Sequence, residues 1–303
     1  MGGGRLRVVC GPTAAGKSEI AYWLAERFGA AIVSADSRQV YRGFDIGTAK
    51  PGQAERSRVP HYGIDVVEPT TTYSAALWAS DAEIWITGAR DAQTPPVVVG
   101  GTGLYIKALV EPLFSAPHLD PERRAQLGRE LGQLPIAELR RWCAALDPAR
   151  SHLGKTQLLR ALETALLAGK RISDLHGAQQ TRASYEPSYL LVDPGPTLAS
   201  RIAVRVGEML ERGWLAEVQA LERTVPPDAP AWKASGYSTV RSLAGGEIDL
   251  STARERVIIE TRQYAKRQRT WFRHQLPPKA VTHVNPDDPA ASEVVGEWWE
   301  KAE

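Results

Sequence analysis

The sequence predicts an α/β fold in which a mainly parallel β-sheet is flanked by helices. Short apolar segments with the character of strands alternate with segments that have helical spacing of apolar residues. This alternation is typical of parallel sheets joined by helical crossovers. The 303 residues are 43% hydrophobic and 24% charged, an ordinary balance for a globular protein with a sizeable core.

The elements of this fold can be placed in chain order. The predicted strands are Arg5–Cys10, Ala31–Ser34, 95–99 and 189–192. The predicted helices of the same part of the chain are Lys17–Phe28, 74–90, 199–212, 215–223 and 252–273. The first helix carries Ile20, Leu24 and Phe28 at helical spacing, and Gly29 follows it as a residue that commonly ends helices.

A block without strand character separates the third and fourth predicted strands. Its apolar residues have helical spacing in three successive segments, namely 121–131, Ile136–Leu146 and Lys155–Ala168. A purely helical block between two strands of one sheet indicates a second domain inserted into the first. We therefore predict a core of residues 1–117 and 184–303, interrupted by a helical insertion at residues 118–183.

Charge and cysteine content restrict the class of partner. The net charge is only +2, but residues 251–276 carry seven Lys/Arg against two Glu, and residues 118–182 carry eleven against seven acidic residues. Basic segments suit a polyanionic partner, although a solvated helix face gives the same pattern. Cys10 and Cys143 lie far apart, which argues against a disulfide framework. Without a run of about 18 apolar residues or a signal-peptide pattern, we expect a cytoplasmic protein with no membrane segment.

Residues 11–18, GPTAAGKS, match the pattern G-x-x-x-x-G-K-[ST] at every fixed position and are called the phosphate loop below. They follow a predicted strand and precede a predicted helix, the context in which this pattern binds phosphate. Backbone N–H groups and the helix dipole favour an anion there, and Ser18 can bind Mg²⁺. The predicted phosphate ligands are Gly11, Pro12, Thr13, Ala14, Ala15, Gly16, Lys17 and Ser18.

A carboxylate follows the second strand instead of the third. A nucleoside triphosphatase would end its third strand with an Asp that positions Mg²⁺, but here Gly100, Gly101 and Thr102 follow. Asp36 follows the second strand, and the carboxyl ends of parallel strands face the ligand crevice. We expect Asp36 near the phosphate loop, with a helix-capping or turn-forming role as the alternative. The residues alone do not identify which phosphate ester the loop binds.

Five motifs occur in one order along the chain: GPTAAGKS at 11–18, DSRQVYRG at 36–43, DIGTAKP at 45–51, GGTGLY at 100–105 and RQYAKRQ at 262–268. Together they closely resemble the tRNA dimethylallyltransferase family, over nearly the whole chain. The resemblance implies transfer of a dimethylallyl group from dimethylallyl pyrophosphate to N6 of the adenosine on the 3′ side of the anticodon. It also implies a P-loop NTPase-like core that holds pyrophosphate with Mg²⁺ rather than hydrolysing ATP, and a monomer that binds the tRNA anticodon stem-loop through its helical insertion.

The same resemblance implies roles for single residues. Asp36 matches the general base of the family, and Thr102 matches a position near the reacting base. Arg262 and Arg267 lie about 140° apart on a helix, so both faces cannot meet one pyrophosphate. We favour Arg262 as the catalytic arginine and keep Arg267 as the alternative pyrophosphate ligand. The non-functional alternative is that the arginines of this helix form ion pairs at the protein surface. The positions that match tRNA contacts are Asp36, Ser37, Arg38, Gln39, Thr102, Arg124, Gln157, Leu158, Leu159, Arg160 and Ala161.

Two other functions share parts of these patterns. A P-loop kinase would have the same fold and could use Asp36 as its base, but it would bind ATP. A non-catalytic RNA-binding protein could retain the loop as a relic, although the intact Lys17 and Ser18 argue against it. The sequence also departs from the family after Gly236-Tyr237, where Ser238 stands in place of the usual basic or amide residue.

Overall fold

The computed structural model describes residues 4–111, 117, 119–178 and 185–301. The chain divides into two compact units, one of Met1–Glu111 with Ala183–Glu303 and the other of Pro112–Arg182. Each unit has its own cluster of buried apolar side chains. Among the described helices, none is both long and apolar enough to cross a membrane.

A parallel sheet of six described strands forms the centre of the first unit. The strands are β1 (Arg5–Cys10), β2 (Ala31–Ser34), β3 (His61–Tyr62), β4 (Pro96–Gly100), β5 (Glu186–Val192) and β6 (Val281–Val284). Their order across the sheet is β3-β2-β4-β1-β5-β6, and every neighbouring pair is parallel. The predicted parallel α/β sheet is therefore confirmed, with two short strands that the sequence did not indicate.

The described helices surround this sheet or form the second unit. In chain order they are α1 (Lys17–Phe28), α2 (Gln53–Arg58), α3 (Ala75–Asp91), α4 (Gly103–Val110), α5 (Pro121–Gly132), α6 (Ile136–Leu146), α7 (Lys155–Ala168), α8 (Ile172–Ala178), α9 (Leu198–Glu211), α10 (Trp214–Leu221), α11 (Tyr237–Ala244), α12 (Leu250–Gln275) and α13 (Ala291–Lys301).

Side chains of β1 alternate between the two faces of the sheet, as the period of a strand requires. Leu6, Val8 and Cys10 join a large cluster built with α3, α4 and α9 to α12. Val9 joins a second cluster built mainly with α1 and α13. Both faces are therefore covered by helices, which is the usual arrangement of a parallel sheet.

The register of the strands brings several loops to one edge of the sheet. Cys10 is paired with Gly100 on β4 and with Leu191 on β5, and Ser34 is paired with Val99. The ends of β1, β2 and β4 therefore lie at nearly the same height. Because the carboxyl ends of parallel strands share an edge, the loops that follow these strands lie close together.

The described residues of the second unit form α5 to α8 and contain no strand. Their apolar cluster is made of Leu131, Leu139, Cys143, Leu158, Ala161 and Leu162. Asp147 is also fully buried, and its Oδ2 accepts a hydrogen bond from the N–H of Ser173 in the first turn of α8 at 3.2 Å. The carboxylate therefore serves the amino end of that helix.

Candidate active site

The phosphate loop has a backbone shape that requires glycine at two positions. Gly11 has a φ of +147° and Gly16 a φ of +91°, both in a region that disfavours side chains. A Cβ atom at Gly11 would also lie 2.2 Å from the carbonyl oxygen of Val192. Because α1 begins at Lys17, its N-terminal N–H groups and its dipole face this loop. The loop is therefore shaped to hold an anion.

Two cationic side chains, those of Lys17 and Arg205, lie at the phosphate loop. Nζ of Lys17 donates a hydrogen bond to the carbonyl oxygen of Pro12 at 2.7 Å. Burial and the nearby charge of Arg205 lower the pKa of Lys17 to about 8, whereas the carboxylate of Asp36 acts in the opposite direction. A bound anion would stabilise both cations, since it would offset their mutual repulsion.

Asp36 and Thr102 follow adjacent strands, and Thr102 forms hydrogen bonds with the residues on either side of Asp36. The N–H of Ser37 donates to Oγ1 of Thr102 at 3.0 Å, and the N–H of Thr102 donates to the carbonyl oxygen of Ala35 at 3.1 Å. Oδ1 of Asp36 accepts a hydrogen bond from the N–H of Arg38 at 2.8 Å. These bonds fix the direction of the carboxylate relative to Thr102.

Gln268 fastens α12 to two of the loops at the sheet edge. Its buried side chain accepts a hydrogen bond from the N–H of Thr13 through Oε1 at 2.8 Å. Nε2 of the same side chain donates to the carbonyl oxygen of Gly101, also at 2.8 Å. One glutamine therefore connects the phosphate loop, the loop after β4 and the basic helix.

Two cavities meet at this edge of the sheet. The loop cavity, about 560 Å³ in volume, is lined by residues 13–18 of the phosphate loop. The wide cavity, about 780 Å³ in volume, has an apolar part formed by Ile202, Val206, Met209, Trp214, Val257 and Trp271. Asp36, Arg205 and Gln268 line both cavities. Asp36 thus lies where a phosphate-bearing ligand can meet a second ligand.

A buried lysine holds the loop that contributes Thr48 to the wide cavity. Nζ of Lys50 lies 2.5 Å from a carboxylate oxygen of Asp45 and 2.6 Å from one of Asp65. Asp65 is also paired with Arg56 at 2.7 Å. The charge of the buried lysine is therefore compensated, and the pairs fix the loop between β2 and α2 against the segment after β3.

This cluster predicts a loss of stability in acid. Burial alone would raise the pKa of Asp65, but hydrogen bonds from Lys50 and Arg56 outweigh it and hold the pKa below its usual range. Its contribution is therefore complete above the unfolded carboxyl pKa of about 4 and is lost as the pH falls through the lower folded pKa. We expect Asp65→Asn to lower the free energy of unfolding by about 1–2 kcal/mol at pH 7, and by less near pH 3.

Urea unfolding at both pH values tests this expectation. The exposed Asp228, whose carboxylate lies on the surface, provides the control variant Asp228→Asn, with little change at either pH. An Asp65→Asn effect of equal size at both pH values would show that the lost contribution is not electrostatic.

Family models match most of the chain. The model described as IPP transferase matches residues 39–275, and the model described as Isopentenyl transferase matches residues 4–61. The chain belongs to the IPP transferase family. A relative from Cyanothece sp. (strain PCC 7425 / ATCC 29141), named tRNA dimethylallyltransferase, is 41% identical over 290 residues, which is 93% of each chain. A protein of the same name from Anaeromyxobacter sp. (strain K) is 41% identical over 89% of this chain and 90% of its own.

Solved structures of IPP transferases have the same fold. The tRNA delta(2)-isopentenylpyrophosphate transferase of Staphylococcus epidermidis is 31% identical and superposes with a TM-score of 0.69 over 98% of both chains. The tRNA isopentenylpyrophosphate transferase of Bacillus halodurans is 30% identical, with a TM-score of 0.70 over 98% of this chain and 95% of that one. The likeness extends over both units of the chain.

In this IPP transferase, Arg262 and Arg267, which project in different directions from α12, lie in different surroundings. Arg262 is exposed, donates to the carbonyl oxygen of Ala199 at 3.4 Å, and lies outside the lining of both cavities. Arg267 lines the wide cavity, with its guanidinium 5.8 Å from the ring centre of Tyr264. The geometry therefore differs from our preference for Arg262, because the packing of Gln268 turns the Arg267 face of α12 toward the site.

The positions expected to contact tRNA in the second unit differ in exposure. Leu158 and Ala161 have no exposed surface and belong to the apolar cluster, so their side chains hold the unit together rather than meet a ligand. Gln157 and Arg160 are exposed, and Leu159 is partly buried. Exposed Arg124 forms an ion pair with Glu163 at 2.8 Å. Within this set, therefore, only the polar members and Leu159 have side-chain surface that a ligand could reach.

The remaining expected contacts lie in the first unit. Ser37, Arg38 and Thr102 line the wide cavity. Gln39 lines the loop cavity and braces the neighbouring loop, because its Nε2 donates to the carbonyl oxygen of Thr48 at 3.2 Å. Among these residues, the side-chain amide of Gln39 is thus already hydrogen-bonded within the protein.

Arg205 is a site residue that sequence reasoning missed. It lies on α9 next to the buried apolar stripe of Ile202, Val206 and Met209, and it lines both cavities. A charged residue at the border of such a stripe is the only signal in the sequence. That signal is weak, because arginine stems often cover the border of an apolar face.

Proposed function

We propose that this chain transfers a dimethylallyl group from dimethylallyl pyrophosphate to N6 of the tRNA adenosine on the 3′ side of the anticodon. Relatives that share about two fifths of its residues over most of its length are named tRNA dimethylallyltransferases. The observation that carries the proposal is the position of Asp36, which lines both the phosphate-loop cavity and the wide cavity. A base at that junction lies between a pyrophosphate ester and an acceptor.

The phosphate loop would bind the pyrophosphate of the donor. Its glycines leave backbone N–H groups accessible, and Thr13, Lys17 and Ser18 add a hydroxyl, an ammonium and a second hydroxyl. The apolar part of the wide cavity suits the dimethylallyl group and the face of a nucleobase. An adenine stacked in an anticodon loop must be turned out of the stack to reach this cavity.

Asp36 would act as the general base. The lone pair of the exocyclic adenine amine is delocalised into the ring, so the amine is a weak nucleophile until a proton is removed. As the N6–C1 bond forms, the C1–O bond of the donor breaks and its electron pair leaves with the pyrophosphate. The N6 proton passes to the carboxylate of Asp36. The N–H of Arg38 holds that carboxylate in place, and Thr102 holds the backbone beside it by accepting from the N–H of Ser37.

Mg²⁺ is the cofactor that we propose for the loop cavity. The described residues contain no group of three or more His, Cys, Asp or Glu that could hold a metal alone. Mg²⁺ is usually held by one or two protein oxygens together with substrate phosphates and water, and the Ser18 hydroxyl lines the loop cavity. A hydroxyl oxygen beside a bound pyrophosphate fits the ion, which would supply charge neutralisation to the leaving pyrophosphate.

We also propose that the first unit is a P-loop NTPase-like core of residues 1–117 and 184–303. The phosphate loop between β1 and α1, in a parallel sheet, supports this assignment. Residues 118–183 would then be an inserted helical domain that binds the tRNA anticodon stem-loop, and the exposed Gln157 and Arg160 support a polar, cationic contact.

The test uses the purified chain, Mg²⁺, radiolabelled dimethylallyl pyrophosphate and tRNA from cells that lack the modification. We expect label in tRNA that carries adenosine next to the anticodon, and none in a transcript with guanosine at that position. ATP consumption with a small acceptor and no label in tRNA would support a kinase instead. Label in both transcripts would contradict the assigned acceptor.

A further inference from the structure

Two large side chains with mainly apolar surface lie at the junction of the loop cavity and the wide cavity. Among the described residues that line both cavities, only Met209 and Tyr264 carry a side chain of this kind. Asp36 lies at the same junction. A donor whose pyrophosphate occupies the loop cavity must bring its reacting carbon to this carboxylate. The carbon chain next to the pyrophosphate therefore passes Met209 and Tyr264.

The packing of α12 holds Tyr264 at this junction. Tyr264 lies one helical turn before Gln268 and on the same face of the helix. Gln268 is itself fastened to Thr13 and Gly101 by two hydrogen bonds of 2.8 Å. The guanidinium of Arg267 lies 5.8 Å from the centre of the tyrosine ring, which leaves the opposite face of the ring to other groups. The ring thus has a fixed place beside the phosphate loop.

The phenol of Tyr264 is suited to a position beside an alkylating donor. Burial raises the pKa of Tyr264 to about 12, and the carboxylate of Asp36 acts in the same direction. The phenol therefore stays protonated at neutral pH. A phenolate would be a nucleophile that competes with the adenine amine for the donor, whereas a protonated phenol is a poor one. The ring, rather than the oxygen, is what this side chain offers to the donor.

In the proposed reaction, positive charge develops on the donor at the junction of the two cavities. As the C1–O bond of dimethylallyl pyrophosphate lengthens, its electron pair leaves with the pyrophosphate, and positive charge spreads over C1 and C3 of the allyl group. The face of an aromatic ring is negative and attracts a cation within about 6 Å of the ring centre. Unlike a carboxylate, the ring forms no bond with the carbon, so it stabilises the charge without capturing the donor.

We propose that Tyr264 is a catalytic residue whose ring faces the allyl group of the donor and stabilises the positive charge that develops there. The inference rests on the proposed prenyl transfer and adds a residue to it. The N6–C1 bond forms as the C1–O bond breaks, the N6 proton passes to Asp36, and no bond is made to Tyr264. Met209, on α9, covers the allyl group with an apolar and polarisable thioether.

The first experiment compares the binding of two donor analogues by calorimetry, with Mg²⁺ and without tRNA. In dimethylaminoethyl pyrophosphate a protonated nitrogen takes the place of C3, whereas the saturated isopentyl pyrophosphate has the same shape and no charge there. The ratio of their affinities measures how well the site stabilises positive charge at C3. We expect this ratio to fall by about 5- to 30-fold in Tyr264→Leu. It should change less than about twofold in Tyr264→Phe, which keeps the ring.

The second experiment measures the rate of prenyl transfer in a single turnover at saturating donor and tRNA. We expect Tyr264→Leu to lower this rate by about 5- to 30-fold, and Tyr264→Phe to retain most of it. The affinity for inorganic pyrophosphate should equal that of the wild type in both variants. Tyr185→Leu is the matched control: partly buried Tyr185 lies against the guanidinium of Arg90 and lines neither cavity. It should keep the wild-type rate and ratio.

The affinity ratio separates charge stabilisation from a structural role. A ratio in Tyr264→Leu equal to that of the wild type overturns the proposal even if the rate falls, because the loss would then be one of shape. An equal fall in Tyr264→Leu and Tyr264→Phe also overturns it, since the effect would belong to the hydroxyl. A lower ratio with an unchanged rate overturns it as well, because the ring would then not act in the reaction.

Two further results remain interpretable. If Tyr264→Leu fails to fold, Tyr264→Gln, another good helix former without an aromatic ring, decides by the same ratio. Wild-type protein that leaves tRNA unlabelled would refute the proposed function, whereas the affinity ratio, which needs no tRNA, would still test the contact between Tyr264 and a cationic donor group.

Discussion

Replacing Asp36 with asparagine is expected to lower turnover by about 10²- to 10⁴-fold, the range typical of a general base. The amide has nearly the same shape, and its oxygen can still accept the hydrogen bond from the N–H of Arg38 that holds the native carboxylate. It cannot accept the proton of the adenine amine. The chemistry should therefore fail while the loop stays in place.

Single-turnover kinetics at saturating donor and tRNA measure this effect, and filter binding measures tRNA affinity, which we expect to change less than about threefold. Asp91→Asn, at the exposed end of α3, is the matched control and should keep full activity. If Asp36→Asn lost less than tenfold in turnover, Asp36 would not be the base. If tRNA affinity fell by as much as turnover, the residue would serve binding instead.

Replacing Gly11 with alanine is expected to damage both stability and pyrophosphate binding. The φ of +147° disfavours any side chain, at a cost of about 1–3 kcal/mol. The new Cβ would also lie 2.2 Å from the backbone oxygen of Val192, and such overpacking costs about 1–3 kcal/mol more. Since β5 cannot yield without breaking its pairing with β1, we expect the phosphate loop to shift and pyrophosphate affinity to fall at least tenfold.

Urea unfolding and calorimetry with pyrophosphate measure the two effects. Gly29→Ala provides the control, because Gly29 also has a positive φ of +64° but a Cβ there would meet nothing within 4 Å. It should cost about 1–2 kcal/mol without affecting pyrophosphate. Equal losses for the two variants would mean that the contact with Val192 has no consequence.

The strands and helices that the sequence predicted are those with a clear period or a distinct run of apolar residues. β1, β2 and α1 begin and end where expected. β3 has only two residues, which is too short for any period to be visible. α4 contains buried Tyr105, Ile106 and Leu109, and a helix covered on most sides lacks the single apolar stripe that identifies amphipathic helices. The order of the strands depends on packing between distant segments, so it is absent from local patterns.

The candidate site was predictable where it depends on loops at strand ends. The phosphate loop is continuous in sequence, and the strand-end rule placed Asp36 beside it. Arg205 and Gln268 come from helices, and the rotation of a helix about its axis is set by the core against which it packs. For the same reason, spacing separated Arg262 from Arg267 but could not tell which of them faces the cavities.

The central position of β1 has a consequence for folding while the chain is being synthesised on the ribosome. Arg5 is paired with Glu186, so about 180 residues are synthesised before the second neighbour of β1 exists. At about 5–20 residues per second, this strand waits on the order of 10–40 s with at least one row of backbone groups unpaired. Such an edge invites pairing with other nascent chains. The charges of Arg5 and Arg7 at alternate positions of the strand oppose that association during the wait.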